Sequence, residues 1–304
     1  MRRLLPFLCR AGRFIIERDL SLTFAAGGNK SFYQFGLMKR WREQLLPRVR
    51  VVAACSAGAC VAALLLSGRE REVEEFWMQN GVVARNFEWR RLLSARRPTP
   101  HGELYRELLL HAFAGGGFER VRAQPFPVLI LSTAFSRRVP APAAALMGLC
   151  AYNLDRRAEA NGRRPTLSRR VGFEPLVFDA RLCASPDELA DLIIATSATP
   201  PFTPIGRFRA QRLLDGGIID PAPDFLADAV RGVKRSLILL TSPRTERAPA
   251  EEGRPRLYIA PQDALPIGTW DFTRPDLLRA TIETGEHDAE LYRQRLTDFI
   301  ERGI

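Results

Sequence analysis

A serine and an aspartate, distant in the chain, each lie among small residues in a way that suits acyl transfer. Ser56 lies in the stretch ACSAGA (54–59), between a short β-branched run and a helix of small residues. A serine on a sharp strand-to-helix turn needs small neighbours, and the usual pattern is GxSxG. Ala54 occupies the first glycine position, so the pattern is incomplete. Ordinary packing at a strand–helix junction is the competing interpretation.

The aspartate is Asp215, which begins the sequence DGG after the apolar pair Leu213 and Leu214. A carboxylate at the end of a strand can accept the proton of a serine directly, as a general base without an imidazole. Asp-Gly is also one of the commonest hairpin dipeptides, so a turn is the competing interpretation for this segment.

A glycine-containing loop, GGNKS (27–31), lies between the first predicted strand and the first predicted helix. The backbone N–H groups of Gly27, Gly28 and Asn29 could hold an anion there, either a phosphate or the oxyanion of acyl transfer. The loop matches neither GxxxxGK[ST] nor GxGxxG, which argues against a nucleotide.

The three histidines do not indicate a catalytic triad. His101 and His111 lie on or beside a helix of surface type, and His287 lies among charged helix residues. We therefore predict that none is catalytic. No group of His, Cys, Asp and Glu has metal-binding spacing, so we expect neither a metal nor another cofactor.

The elements that must position these residues alternate between strand and helix, which predicts a mostly parallel sheet with helices on both faces. Helices are predicted from the loop to about residue 46, from Ser56 to Gly68, and over 102–113, 185–196 and the C-terminus from about 283. Strands are predicted over 20–26, 50–54, 127–133, 176–179, 235–241 and 256–260. Residues 137–170 are less regular, and a basic, apolar segment (1–18) precedes a single domain (19–304).

The composition is that of a globular protein with a large positive charge. The chain has 304 residues, is 46% hydrophobic and carries a formal charge of +11. Such a charge attracts anionic partners, for example a bilayer, although an arginine-favouring genome would explain it equally well. No nucleic-acid-binding module is recognisable, so we expect no nucleic acid. Five cysteines without a CxxC pair predict a reduced, buried set, and we expect a cytoplasmic protein that can lie peripherally at a membrane.

The order and spacing of these motifs resemble the patatin-like phospholipase family. The glycine loop lies where the family has its oxyanion loop, Ser56 where it has its nucleophile and Asp215 where it has its DGG aspartate. The stretch ATSATPPFTP (195–204) is similar to the family's ASxAxPxxFxP, and Gly36 and Pro223 also match. The resemblance implies a three-layer α/β fold, a Ser–Asp dyad and fatty-acyl esters of membrane lipids as substrate.

The chain also departs from the family pattern. Ala26, Ser31 and Ala54 replace family glycines, and Pro221 replaces an asparagine. The leading hypothesis is a serine acyl hydrolase, with Ser56 and Asp215 as catalytic residues and Gly27, Gly28 and Asn29 as oxyanion donors. The alternative is a catalytically weakened member that binds a membrane or a partner.

Overall fold

The computed structural model of the protein describes residues 17–80, 83, 85–88, 99, 101–160, 167–200, 203–243 and 253–302. Most of the predicted N-terminal segment (1–18), including Cys9, therefore lies outside the described residues. The same holds for two residues of the 195–204 stretch and for residues 161–166 of the less regular 137–170 segment.

The centre of the protein is one eight-stranded sheet with the strand order β5-β6-β3-β2-β1-β7-β8, in which β4 also pairs with β3. The five strands from β3 to β8 in this order are parallel, whereas β4, β6 and β5 add antiparallel pairs at one side. The strands are β1 (Leu20–Phe24), β2 (Val49–Cys55), β3 (Val128–Ala134), β4 (Glu174–Asp179), β5 (Gly206–Phe208), β6 (Gln211–Leu214), β7 (Arg235–Leu239) and β8 (Arg256–Ile259).

Helices cover both faces of the sheet, as predicted. They are α1 (Phe32–Leu45), α2 (Ser56–Leu66), α3 (Glu70–Asn80), α4 (His101–Phe113), α5 (Gly117–Arg122), α6 (Ala141–Ala160), α7 (Leu167–Arg170), α8 (Pro186–Thr196), α9 (Pro275–Leu291) and α10 (Arg293–Arg302). Successive residues of a strand point to opposite faces. Accordingly Val52 and Ala54 belong to the larger core cluster, and Ala53 and Cys55 to a smaller one that includes the inner side of α6.

The local sequence explains the main boundaries near the site. β1 is buried along its whole length, which fits a central parallel strand covered on both faces. Ser185 accepts the N–H of Glu188 at 3.1 Å and begins α8, as its capping pattern predicts. Gly68 adopts φ +64° just after α2, in the left-handed region that favours glycine at a helix C-terminus.

Other elements differ from the predictions. The C-terminal helix begins eight residues earlier than predicted, at Pro275, and is interrupted at Tyr292. Helices α3 and α5 and the β5–β6 hairpin were not predicted, because short or highly charged segments carry a weak periodic signal. Residues 141–160 form one continuous helix, in which Cys150 is exposed. The prediction that the cysteines are buried is therefore wrong at that position and holds at the other three described cysteines.

Candidate active site

Ser56 lies on a strained turn at the carboxyl end of β2 and begins α2. Its φ is +52°, an unusual value for a residue with a side chain, and its side chain is almost completely enclosed, with 6% exposure. The Ser56 N–H donates to Thr196 Oγ1 at 3.3 Å, which helps to hold the turn. A serine held in this way at the start of a helix has the geometry of a nucleophile elbow.

Gly58, two residues after Ser56, is required by close backbone contacts. A Cβ added to Gly58 would lie 2.4 Å from the carbonyl oxygen of Phe24 and 2.6 Å from that of Ala25, so only glycine lets α2 approach β1. Ala54, in contrast, is fully buried in the core and opposes Phe24 in the parallel register. The structure therefore accommodates alanine at the first position of the GxSxG-like pattern.

Asp215 follows β6 and does not form a hairpin turn. It caps a short 3-10 helix (Gly216–Ile218), since its Oδ1 accepts the N–H of Gly217 at 2.7 Å. A Cβ on Gly216 would lie 2.1 Å from the carbonyl oxygen of Leu131 in β3. The first glycine of DGG thus allows the backbone after Asp215 to lie directly against the sheet. The chain turns here through a 3-10 helix, and the interpretation as a hairpin is wrong.

The structure brings Ser56 and Asp215 together across 159 residues of sequence. Ser56 Oγ donates to Asp215 Oδ2 at 2.6 Å, and Thr199 Oγ1 donates to the same oxygen at 3.1 Å. With the Gly217 N–H, the carboxylate receives three hydrogen bonds. This arrangement places a hydroxyl within proton-transfer distance of a base.

The environment of Asp215 favours a base of increased proton affinity. Burial raises the pKa of the Asp215 carboxyl above its ordinary value, and the hydrogen bonds from Ser56, Gly217 and Thr199 oppose that rise. Burial dominates because it disfavours the charged form, whereas donors to the carboxylate stabilise it. A carboxyl shifted in this direction is a better proton acceptor than a free aspartate.

The glycine loop lies beside Ser56, with differences among its three predicted donors. Gly28 has φ +56° and lines the same cavity as Ser56. Within the described part of the chain, neither Gly27 nor Gly28 donates its N–H to another backbone group. The Asn29 N–H, however, donates to the carbonyl oxygen of Thr269 at 3.1 Å. Asn29 is thus already engaged, and Gly27 and Gly28 remain as possible oxyanion donors.

Ser56 lines a cavity of about 280 Å³. This volume is close to the lower end of the range of ligand pockets, roughly 300–1,000 Å³. Its wall includes the aromatic side chains of Phe32, Trp77, Tyr105 and Phe272, which come from three helices and a loop. An apolar cavity beside a serine hydroxyl can hold the hydrocarbon part of an ester while its carbonyl group meets the serine.

The prediction that His101 is a surface residue is wrong. It is only 2% exposed, lines the cavity, and stacks on Phe272 with ring centroids 4.4 Å apart. Its Nε2 lies 3.3 Å from Asn86 Oδ1, while its Nδ1 has no hydrogen-bond partner among the residues that the structure describes. Burial lowers the pKa of the His101 ring, so the neutral form is favoured. The hydrogen bond of the Ser56 hydroxyl goes to Asp215, as predicted, and not to the ring of His101.

Sequence reasoning missed three threonines that build the site. Thr199 bonds the carboxylate of Asp215, Thr196 bonds the Ser56 N–H, and Thr133 Oγ1 donates to the Asp215 carbonyl oxygen at 2.7 Å. Two of them lie within the 195–204 stretch, which was a detectable signal. Nothing in the sequence around Thr133 or the aromatic wall marks those residues. Among the described residues, no group of three or more His, Cys, Asp or Glu could hold a metal ion.

Comparison with known proteins decides the family. The model of the family described as patatin-like phospholipase matches residues 22–227, more than half of the chain. The chain belongs to this family. The match includes the glycine loop, the elbow of Ser56 and the DGG segment, and the mostly parallel sheet with surrounding helices is the patatin fold. No curated protein sequence matches the chain significantly.

Solved structures with a similar fold are longer than this chain. Human GIVD cytosolic phospholipase A2 is 11% identical, with a TM-score of 0.48 over 93% of this chain and 62% of that chain. VipD from Legionella pneumophila is 12% identical, with a TM-score of 0.41 over 91% of this chain and 66% of that one. The type III effector protein ExoU is 15% identical, with a TM-score of 0.39 over 92% and 53%. The patatin-like chain thus spans about half to two thirds of their lengths.

No helix among the described residues is both long and apolar enough to cross a bilayer.

Proposed function

We propose that the protein is a serine acyl hydrolase that cleaves fatty-acyl esters of membrane lipids, as a phospholipase A or lipid esterase. The observation that carries the proposal is the 2.6 Å hydrogen bond from Ser56 Oγ to Asp215 Oδ2 at the end of an apolar cavity. Membership of the patatin-like phospholipase family supports lipid as the substrate class.

The reaction begins when Ser56 Oγ attacks the carbonyl carbon of the ester and its proton passes to Asp215 Oδ2. The oxygen of the tetrahedral intermediate accepts hydrogen bonds from the N–H groups of Gly27 and Gly28, which are fixed before the reaction. Asp215 then gives its proton to the departing alkoxide, and the acyl group stays on Ser56. The leaving product is an alcohol, such as a lysolipid.

Deacylation uses the same groups in the reverse order. Asp215 accepts a proton from water, and the hydroxide adds to the acyl carbonyl carbon. Collapse of the second intermediate breaks the bond to Ser56 Oγ, which takes the proton back from Asp215. The fatty acid leaves, and the initial hydrogen bond forms again.

The residues that depart from the family pattern are compatible with this chemistry. The Ala26 N–H donates to the Pro221 carbonyl oxygen at 2.8 Å, so the alanine and the proline hold the two loops together. Ser31 and Ala54 are fully buried. None of these substitutions removes the Ser56–Asp215 hydrogen bond, which favours the enzyme over the catalytically weakened alternative.

Release of fatty acid from phospholipid and neutral-ester vesicles tests the proposal. We expect Ser56→Ala and Asp215→Asn each to reduce turnover by at least about a thousandfold, because one removes the attacking oxygen and the other removes the carboxylate that accepts its proton. Ser136→Ala and Asp263→Asn, at exposed positions away from the cavity, serve as matched controls and should retain wild-type turnover. The assignment is wrong if both site variants remain as active as the wild type.

A further inference from the structure

Helix α6 carries an apolar face on its outer side, where a solvated helix would be polar. Its buried positions Ala144, Gly148, Ala151 and Asp155 recur at the spacing of one helix face. The rest of its surface exposes four large apolar side chains: Leu146 (64%) and Leu149 (44%) opposite the buried positions, and Met147 (38%) and Leu154 (49%) on one flank. We call the exposed side of α6, with these four residues, the α6 face.

The segment of the sequence that contains α6 is strongly basic. Residues 137–170 contain eight arginines and only two acidic residues. One of the two acids, Asp155, is buried and accepts the N–H groups of Leu167 and Ser168 at 2.9 and 3.0 Å. These hydrogen bonds hold α7, with the exposed Arg169 and Arg170, against α6.

Several exposed arginines lie around α6. Arg137 and Arg138 are exposed just before the helix, and Arg157 is exposed on its outer side. Arg137 donates to the Ala210 carbonyl oxygen, and Arg169 lies over the Phe225 ring. Within the residues that the structure describes, none of these arginines forms an ion pair. An apolar helix face bordered by unpaired positive charge is complementary to an anionic lipid surface, where leucines enter the interface and arginines meet headgroups.

The inner side of α6 connects this face to the site. A Cβ on Gly148 would lie 2.9 Å from Ile218 Cδ1, in the 3-10 helix that follows Asp215. The α6 face is therefore separated from that segment by about one helix diameter, roughly 10 Å. A protein bound through α6 would hold the Asp215 segment close to the membrane.

We propose that the α6 face and its flanking arginines are a docking surface for anionic bilayers. The surface extends the proposed function by naming where the protein meets its lipid substrate, and only its biological purpose rests on that function. The apolar and basic residues that carry it do not include Ser56, Asp215 or the cavity wall.

Vesicle co-sedimentation tests the surface without depending on catalysis. The full chain carrying Ser56→Ala is mixed with vesicles of phosphatidylcholine alone or of phosphatidylcholine with phosphatidylglycerol. We expect binding to the anionic vesicles, weakened by salt because exposed charges are screened. Combined Leu146→Ser, Leu149→Ser and Leu154→Ser should reduce partitioning by at least about tenfold, since each exposed leucine adds buried area in the interface.

Matched variants separate the α6 face from general surface effects. Leu182→Ser and Leu291→Ser replace leucines of similar exposure on other elements and should bind like the parent protein. Arg169→Gln and Arg170→Gln should each weaken binding about fivefold. Arg279→Gln, at an exposed position of α9, should have little effect. Circular dichroism and thermal melting establish that the α6 variants are folded. The same α6 variants made with Ser56 intact should turn over a water-soluble ester like the wild type.

Several outcomes would overturn the proposal. Equal binding of the triple α6 variant and the parent would do so, and so would equal binding to neutral and anionic vesicles. A parent that sediments as a dimer, with a monomeric α6 variant and no vesicle binding, would assign the face to self-association. The proposed function fails separately: if no form of the protein hydrolyses an ester but vesicle binding still requires α6, the docking surface stands without the enzyme.

Discussion

Replacing Thr199 by valine tests whether Asp215 acts as the base, because it removes one donor to the carboxylate and conserves side-chain shape. The hydroxyl of Thr199 lies 3.1 Å from Asp215 Oδ2 and 3.4 Å from the Ser197 carbonyl oxygen, so its single proton goes to the nearer, charged acceptor. The hydrogen bond stabilises the carboxylate and lowers the pKa of Asp215 against the effect of burial. Its loss must raise that pKa.

The size of the effect follows from the charge on the acceptor. A hydrogen bond to a charged group contributes about 1.5–3 kcal/mol. Each 1.4 kcal/mol changes the equilibrium between carboxylate and carboxylic acid about tenfold. Since the base must be unprotonated, activity on the acid side of the pH profile should fall by about tenfold or more. At higher pH, where both proteins hold the carboxylate, activity should be close to that of the wild type.

The assay is kcat/KM for a water-soluble monomeric ester as a function of pH, so that membrane binding does not enter. Thr199→Ser retains the hydroxyl and serves as the control, with an acid limb near that of the wild type. The reasoning is refuted if folded Thr199→Val keeps the wild-type acid limb, or if the serine variant shifts as far as the valine variant.

Three further variants separate the site from the fold. Gly28→Ala adds a Cβ at a residue with φ +56°, 2.2 Å from the carbonyl oxygen of Thr269, so we expect turnover to fall about 100-fold and the melting temperature to drop. Gly68→Ala is the control: it has φ +64° but lies remote from the cavity, and it should lower the melting temperature alone. Tyr33→Phe removes a buried 2.8 Å hydrogen bond to Asp288 and should cost about 1.5–3 kcal/mol in urea unfolding with unchanged kcat; unchanged stability would contradict this. Burial lowers the pKa of His101, so the unfolded chain takes up a proton at this ring at a higher pH than the folded protein does. The melting temperature of the wild type should therefore fall as the pH decreases below about 6.5. His101→Phe should flatten that decline, and an equally steep decline in the variant would contradict the reasoning.

The parts of the fold that sequence predicts are those with strong local patterns. The first two strands, α2 and α8 follow from buried runs, small residues and a capping serine, each of which acts within a few residues. Ser56 and Asp215 could be paired only through the order of family motifs, because nothing local to either residue encodes a contact across 159 positions.

Other features depend on tertiary packing. His101 is predicted as a surface residue because α4 is amphipathic and polar at its start, yet the loop carrying Phe272 covers it. The outer face of α6 is similar: the sequence shows its arginines and leucines, but only the packed Ala144 and Ala151 establish which side remains exposed. Tertiary contacts, not the pattern along the chain, decide the burial of His101 and the exposed side of α6.

Labelling with a fluorophosphonate probe, followed by mass spectrometry of the labelled peptide, tests the central claim most directly. The wild type should gain one adduct per chain, located on Ser56, because that hydroxyl both donates to the Asp215 carboxylate and lines the apolar cavity. Asp215→Asn should label much more slowly although it retains the serine. A folded wild-type protein that takes up no label at Ser56, or labels there equally fast without the Asp215 carboxylate, would contradict the account.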